Sequence, residues 1–167
     1  MLLDLSKIMD MPGASTDFCV SLDLSDLRFG SCFPLKTPVT ASGTVRNTAG
    51  VLMTTGTITA RLDGVCDRCA GEFTEDVEYP LEVVLVTELA DEENEDEWTF
   101  LLEGNAADMD DIVRTVFILN MDSKMLCSDD CLGLCCRCGK NLNDGPCGCQ
   151  KEIDPRLAAL QQLLNKE

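Results

Sequence analysis

Read along the chain, apolar and polar residues first form a sparse pattern. Leu2, Leu5 and Ile8 suit one helical turn or an extended packing arm, which Pro12-Gly13 ends. Phe18 to Leu24 alternates as a strand does. Residues 37–46 and 51–62 are rich in Thr, Val and Ile, which suit a pleated surface. Asn47-Thr48-Ala49-Gly50 lies between them as a turn signal, so the segment predicts a β-hairpin. Phe73, Val77, Tyr79, Leu81, Val83 and Leu85 alternate with Glu72, Thr74, Asp76, Glu78 and Glu82, a half-buried strand with an acidic outer face. Pro80 places that strand at a sheet edge or bends it. Residues 91–97, DEENEDE, read as a solvated acidic loop, and Trp98 to Leu102 as a short strand. Asp108 caps a helix whose apolar face is Met109, Ile112, Val113, Val116 and Phe117, with Asn120 next in the spacing. Asp154-Pro155 opens a last helix striped by Leu157, Leu160 and Leu164. No internal repeat stands out.

These elements predict an α+β fold. Antiparallel strands from about residue 16 to 102 make a twisted sheet or open barrel, and the helix at 109–120 packs on it. A segment with two close cysteine pairs, Cys135-x2-Cys138 and Cys147-x-Cys149, spaced as in a four-cysteine zinc ribbon, and a C-terminal helix follow. The expected division is 1–122 for the sheet domain and 123–167 for the cysteine-rich segment with the terminal helix. A chain of 167 residues is long enough for one full core, or one domain with a small module. A single Trp and a single Tyr make that core mainly aliphatic. No stretch approaches the roughly 18 to 20 apolar residues of a membrane helix. MLLDLSKIMD has no basic region ahead of an apolar block, so a cytoplasmic location, away from membranes, is the expectation.

Charge changes the picture. The formal net charge is −17, which repels a phosphate backbone and favours basic protein partners. From Asp67 to Asp111 there are 17 acidic residues and one basic residue, Arg68. From Asp122 to Arg156 six acidic residues face five basic ones, Lys124, Arg137, Lys140, Lys151 and Arg156. Arg137, Lys140, Lys151 and Arg156 surround the cysteine-rich segment as a small basic patch, the candidate for direct nucleic-acid contact.

The chemistry lies in the 11 cysteines. An odd count without an export signal argues against a disulfide framework and for metal. With no histidine in the chain, a zinc site must use thiolates, alone or with carboxylates, and His-dependent catalytic designs are excluded. Cys135-x2-Cys138 followed by Gly139 is a zinc knuckle, because two thiolates at that spacing converge on one ion and Gly139 permits the positive φ of the turn. Cys147-Gly148-Cys149 supplies two more sulfurs, completing one site: Cys135, Cys138, Cys147 and Cys149. Cys66-x2-Cys69 is a second pair, which Cys127 and Cys131 would complete. Three alternatives stay open at this level: Cys131 in place of Cys135, competition from Cys136, and a redox-active dithiol at Cys66 and Cys69. The dithiol fits poorly, since such motifs open a helix and this one lies between strands. Closed four-thiolate shells favour structural zinc over catalytic zinc. Cys19 and Cys32 are expected as small core residues.

Several stretches together carry a resemblance. They are LLDLSKIMDMPG, DLSDL at 23–27, VRNTAGVLMTTGTI, CDRCAGEF at 66–73, MLCSDDCLGLCCRCGKNLN at 125–143, CGC at 147–149 and DPRLAALQQLL at 154–164. Through them the chain resembles the bacterial YceD family, the large ribosomal RNA subunit accumulation proteins. Cys136 departs from that pattern, standing where the family's LCPxCG has proline. The resemblance implies a non-enzymatic role in synthesis, processing or stability of large-subunit ribosomal RNA. Two mechanisms follow from the charge map. In one, the protein is an adaptor whose acidic face, residues 72–97, holds a basic ribosomal protein or assembly factor. In the other, the zinc segment contacts ribosomal RNA directly through Arg137, Lys140 and Lys151.

Overall fold

The computed structural model describes residues 1–30, 32–87 and 98–149. In chain order its elements are β1 (Leu2–Asp4), α1 (Ser6–Met9), β2 (Ser15–Leu22), β3 (Val39–Thr48), β4 (Val51–Val65), β5 (Glu72–Val86), β6 (Thr99–Leu101), β7 (Ala106–Asp108) and α2 (Met109–Asn120). The acidic run at 91–97 and the helix expected from Asp154 lie outside the described residues.

An open sheet runs β2-β3-β4-β5-β6. Its first three pairings are antiparallel. The fourth is parallel, Val84↔Thr99 to Val86↔Leu101, which corrects the expectation of antiparallel strands throughout. A tight hairpin forces antiparallel neighbours, whereas a long connection does not, and residues 87–98 separate these two strands. A small second sheet, β1 with β7, brings the N-terminus onto the entry to α2. Neither strand has enough residues to show an alternation in sequence.

The apolar faces predicted from periodicity meet as the core. Met109, Ile112, Val113, Val116 and Phe117 of α2 are buried against the inward residues of the sheet, among them Ile58, Leu81, Val83 and Leu85. Tyr79 and Phe117 pack edge to face, with ring centroids 5.7 Å apart. Each such buried side chain contributes about 1.5–3 kcal/mol. Asp108 caps α2 by accepting the N–H of Asp110 at 3.1 Å.

The hairpin between β3 and β4 turns on two residues, Ala49 (φ 54) and Gly50 (φ 94), the backbone signature of a tight twisted hairpin. Asn47 is not part of that loop. It is buried, and its amide donates to the carbonyls of Ile8 (2.8 Å) and Met9 (2.7 Å) while accepting the N–H of Gly50 (2.8 Å). Cys19 is also corrected: it is exposed, because the alternation of β2 turns Phe18, Val20 and Leu22 inward instead. Cys32 is half-buried.

β4 and β5 pair without interruption from Leu52↔Leu85 to Val65↔Glu72. The β3 ladder ends at Thr40↔Thr59. Past that point Leu35 bridges to Leu62 and the Asp63 N–H donates to the Pro34 carbonyl (2.8 Å), so only from Gly64 onward does the β4–β5 hairpin project as a two-stranded arm. Cys66 to Gly71 form its tip.

Candidate metal centre

The arm tip has a specific backbone. The Cys66 N–H donates to the Gly71 carbonyl (2.8 Å), and the Ala70 N–H donates to the Cys66 carbonyl (2.8 Å). Residues 135–140 repeat this pattern. The Cys135 N–H donates to the Lys140 carbonyl (2.8 Å), and the Gly139 N–H donates to the Cys135 carbonyl (2.9 Å). The residues flanking each turn also pair alike, Val65 with Glu72 and Leu134 with Asn141. Both turns place a positive φ after the second cysteine, 56° at Ala70 and 71° at Gly139. Two metal-type knuckles of one design are thus present. This repeat is absent from the side-chain pattern because its common content is mostly backbone.

Each knuckle is completed by a second cysteine pair. The sulfurs of Cys66, Cys69, Cys127 and Cys131 all lie within 4.8 Å of one another, as do those of Cys135, Cys138, Cys147 and Cys149. Each set could hold a metal ion. In the first, Cys66 Sγ lies 3.8 Å from Cys131 Sγ and Cys69 Sγ lies 3.7 Å from Cys127 Sγ. A tetrahedral ion with metal–sulfur bonds of about 2.3 Å separates its sulfurs by about 3.8 Å. The first set is the more buried: Cys66, Cys69 and Cys131 are enclosed and Cys127 is exposed. In the second, Cys138 is exposed and the other three are half-buried. Cys131 groups with the first set and Cys135 with the second, while Cys136 is exposed and belongs to neither.

Docking of the arm onto segment 125–134 assembles the first set. The Asp67 N–H donates to the Met125 carbonyl (2.8 Å), and the Asp67 carboxylate accepts the Met125 N–H (2.9 Å). The Arg68 guanidinium donates to the carbonyls of Asp129 (2.7 Å) and Cys131 (3.2 Å), and the Arg68 carbonyl accepts the Leu134 N–H (3.1 Å). Gly133 passes so close that a Cβ there would stand 3.0 Å from the Arg68 carbonyl oxygen. The two x residues of Cys66-x2-Cys69 are therefore connectors. Spacing points to the cysteines and is silent about what lies between them.

Asn143 joins the two sets. It lies in the loop between Cys138 and Cys147, in a 3-10 turn at Leu142–Asp144. Its amide donates to Cys131 Sγ (3.3 Å) and accepts the Leu132 N–H (2.8 Å). A loop anchored by the second set thus bonds a sulfur of the first. Its turn-forming character was visible in sequence; its contact with Cys131 was not. Lys140 donates to the Pro146 carbonyl at 3.0 Å across the same loop. Lys151 lies outside the described residues.

The thiols within each set ionise unequally. Burial pushes the Cys66 thiol up, but the backbone N–H groups of Cys127, Cys69 and Arg68, with the Cys69 side chain, outweigh it and bring it down to about 6. The N–H groups of Cys138 and Arg137 likewise bring Cys135 to about 6. The Asn143 amide lowers Cys131. Conversely, neighbouring sulfurs, Cys131 first, push Cys127 up to about 12, and Cys138 leads the groups that push Cys149 up to about 12. Each set thus contains a readily ionised thiol and one that resists, as expected where negative sulfurs crowd together. A divalent cation would relieve that repulsion.

Among the described residues no helix is long and apolar enough to cross a membrane. The family model described as large ribosomal RNA subunit accumulation protein YceD matches residues 54–164. One protein of Mycobacterium bovis and two of Mycobacterium tuberculosis, all described as uncharacterized, are each 30% identical over 120 residues. The matched stretch is 71% of this chain and 58% of each relative, so the chain spans somewhat over half the length of these curated relatives. No solved structure matches.

Proposed function

The chain belongs to the YceD family, and from that premise we propose that it is a non-enzymatic factor in accumulation of large-subunit ribosomal RNA, an acidic adaptor for a basic protein partner whose shape two zinc ions maintain. The family's description supports the ribosomal role. The single observation carrying the zinc is the pair of four-sulfur clusters, with cross-pair distances in the first that match the edge of a zinc–thiolate tetrahedron. Cys66, Cys69, Cys127 and Cys131 would hold one ion, and Cys135, Cys138, Cys147 and Cys149 the other. Four thiolates leave no open position for water, so the zinc would be structural. Zinc bound at Cys66 and Cys69 also leaves no free dithiol for redox chemistry.

The net charge of −17 supports a basic protein over RNA as the direct partner. The test is genetic and biochemical together. Loss of the protein should lower large-subunit ribosomal RNA relative to small-subunit ribosomal RNA, and the wild-type chain should restore the ratio. An unchanged ratio overturns the ribosomal role. Native mass spectrometry should find two zinc ions per chain and one after Cys66→Ser; one ion in both proteins overturns the two-site reading.

A further inference from the structure

Among the described residues, one edge of β5 is open below Val84. Near its end, the Val84 N–H donates to the Trp98 carbonyl (2.8 Å) and the Val86 carbonyl accepts the Leu102 N–H (2.9 Å). Even-numbered residues therefore turn their backbone groups toward the side away from β4. The unbroken register of β4 with β5 carries this phase down the strand. Asp76 and Glu78 thus present N–H and C=O groups on the open edge, and among the described residues no backbone group bonds them there. Pro80 falls in the same phase. It has no N–H to offer, so it limits pairing on this edge.

A groove of about 750 Å³ runs beside this edge, between β5 and segment 121–129. Its apolar wall includes Phe73, Val77 and Tyr79 from the strand and Met121 and Leu126 from the facing segment. Three carboxylates also line it, Glu75, Asp122 and Asp129, against one cation, Lys124, while Asp76 and Glu78 border it with their backbone and turn their side chains to the outer face. Burial first, then the charges of Asp122 and Glu75, raise the Tyr79 phenol, so the negative potential reaches the aromatic wall. Glu75 occupies the inward phase of β5, between Phe73 and Val77, yet stays exposed. An apolar residue there would have continued the core.

We propose that this groove takes an extended, arginine-bearing segment of a protein partner, which adds its backbone to the β5 edge at Asp76 and Glu78 and lays its guanidinium groups between the carboxylates and the Tyr79 and Phe73 rings. The geometry suits strand addition, where backbone bonds supply affinity and alternate side chains supply specificity. Arginine is the matching side chain because its planar cation both pairs with carboxylates and stacks on aromatic faces. The carboxylates in the groove and on the outer face of β5 disfavour a phosphate backbone. They also disfavour a second copy of this chain, whose own β5 edge carries the same charges. The proposal rests on the adaptor reading above and locates the site for it.

The test uses the metal-loaded full chain and a fluorescent peptide of alternating arginine and valine, followed by anisotropy. Neutralising Glu75→Gln, Asp122→Asn and Asp129→Asn together should weaken binding about tenfold. Asp17→Asn and Asp23→Asn, outside the groove, should leave it unchanged. Hydrogen exchange should slow at Asp76 and Glu78 when the peptide binds. Equal affinity for both sets of variants overturns the groove. So does tighter binding of a polyuridine oligomer than of the peptide, or self-association of the chain through this edge. If the groove variant loses the peptide yet still restores large-subunit ribosomal RNA, the groove stands and the adaptor reading fails.

Discussion

Ala70 occupies the left-handed region, φ 56, where a side chain costs roughly 1–2 kcal/mol. Its counterpart in the other knuckle is Gly139. Ala70→Gly should therefore raise stability by about 0.5–1 kcal/mol, the relief being partly offset by the greater freedom of glycine in the unfolded chain. A urea titration would show this as a higher midpoint; a lower midpoint would mean that the methyl group packs usefully. Asn47 illustrates the opposite case. Its identity suggested a turn, but burial and three hydrogen bonds make it the link between α1 and the β3–β4 hairpin. Asn47→Ala leaves two carbonyls and an N–H without that partner and should cost about 2–3 kcal/mol, readable in the same titration. An effect below 0.5 kcal/mol, roughly that of a surface change, would show that water replaces the amide.

Among the elements, β5 and α2 were the most legible. Each displays many residues of one period, so the inward face of β5 and the buried face of α2 follow from spacing alone. β1, β7 and the parallel placement of β6 were not legible, since three-residue strands carry almost no period and their pairing depends on distant partners. The loop between Cys138 and Cys147 is a further element whose meaning is tertiary. If both clusters hold zinc, Asn143→Ala should weaken the first site about 10- to 100-fold, as loss of a supporting hydrogen bond to a ligand typically does. Competition with a chromophoric chelator would read this for the more weakly held ion. Equal affinity in the variant would mean that the amide is incidental to that site.

At the scale of the whole molecule, the apolar core and the first sulfur cluster are distinct and meet at Phe73. The sheet and α2 share one buried cluster, while Cys66, Cys69 and Cys131 form another. Removing metal with a strong chelator should therefore strip hydrogen-exchange protection from residues 126–149 and the arm tip while the sheet and α2 keep theirs. Simultaneous loss throughout would show that the ions hold up the whole fold. Acid should act in the same way. The folded-state values of Cys66 and Cys135, about 6, lie below the ordinary thiol value of 9.0. Their ionisation thus contributes fully to stability above 9.0, and the contribution is lost as pH falls through about 6. Protons and metal compete for the same sulfurs, so metal affinity should drop across that interval. Chelator competition at several pH values would measure it, and a flat profile would contradict thiolate ligation.

By itself the sequence determined the half-buried acidic strand, the capped helix, the excess of negative charge and two cysteine pairs at metal-binding spacing. These are local facts, carried by period, composition or a separation of two residues. Only the tertiary structure decided which pairs of sulfurs meet, that Cys131 joins Cys66 rather than Cys138, that Arg68 ties the arm tip to residues 129–134, and that Asn143 links the loop of the second set to a sulfur of the first. The reason is geometric: spacing marks the close pairs but does not say which distant pair completes each of them. The choice is made where the tip of the β4–β5 arm reaches segment 125–134, a contact between residues about sixty positions apart.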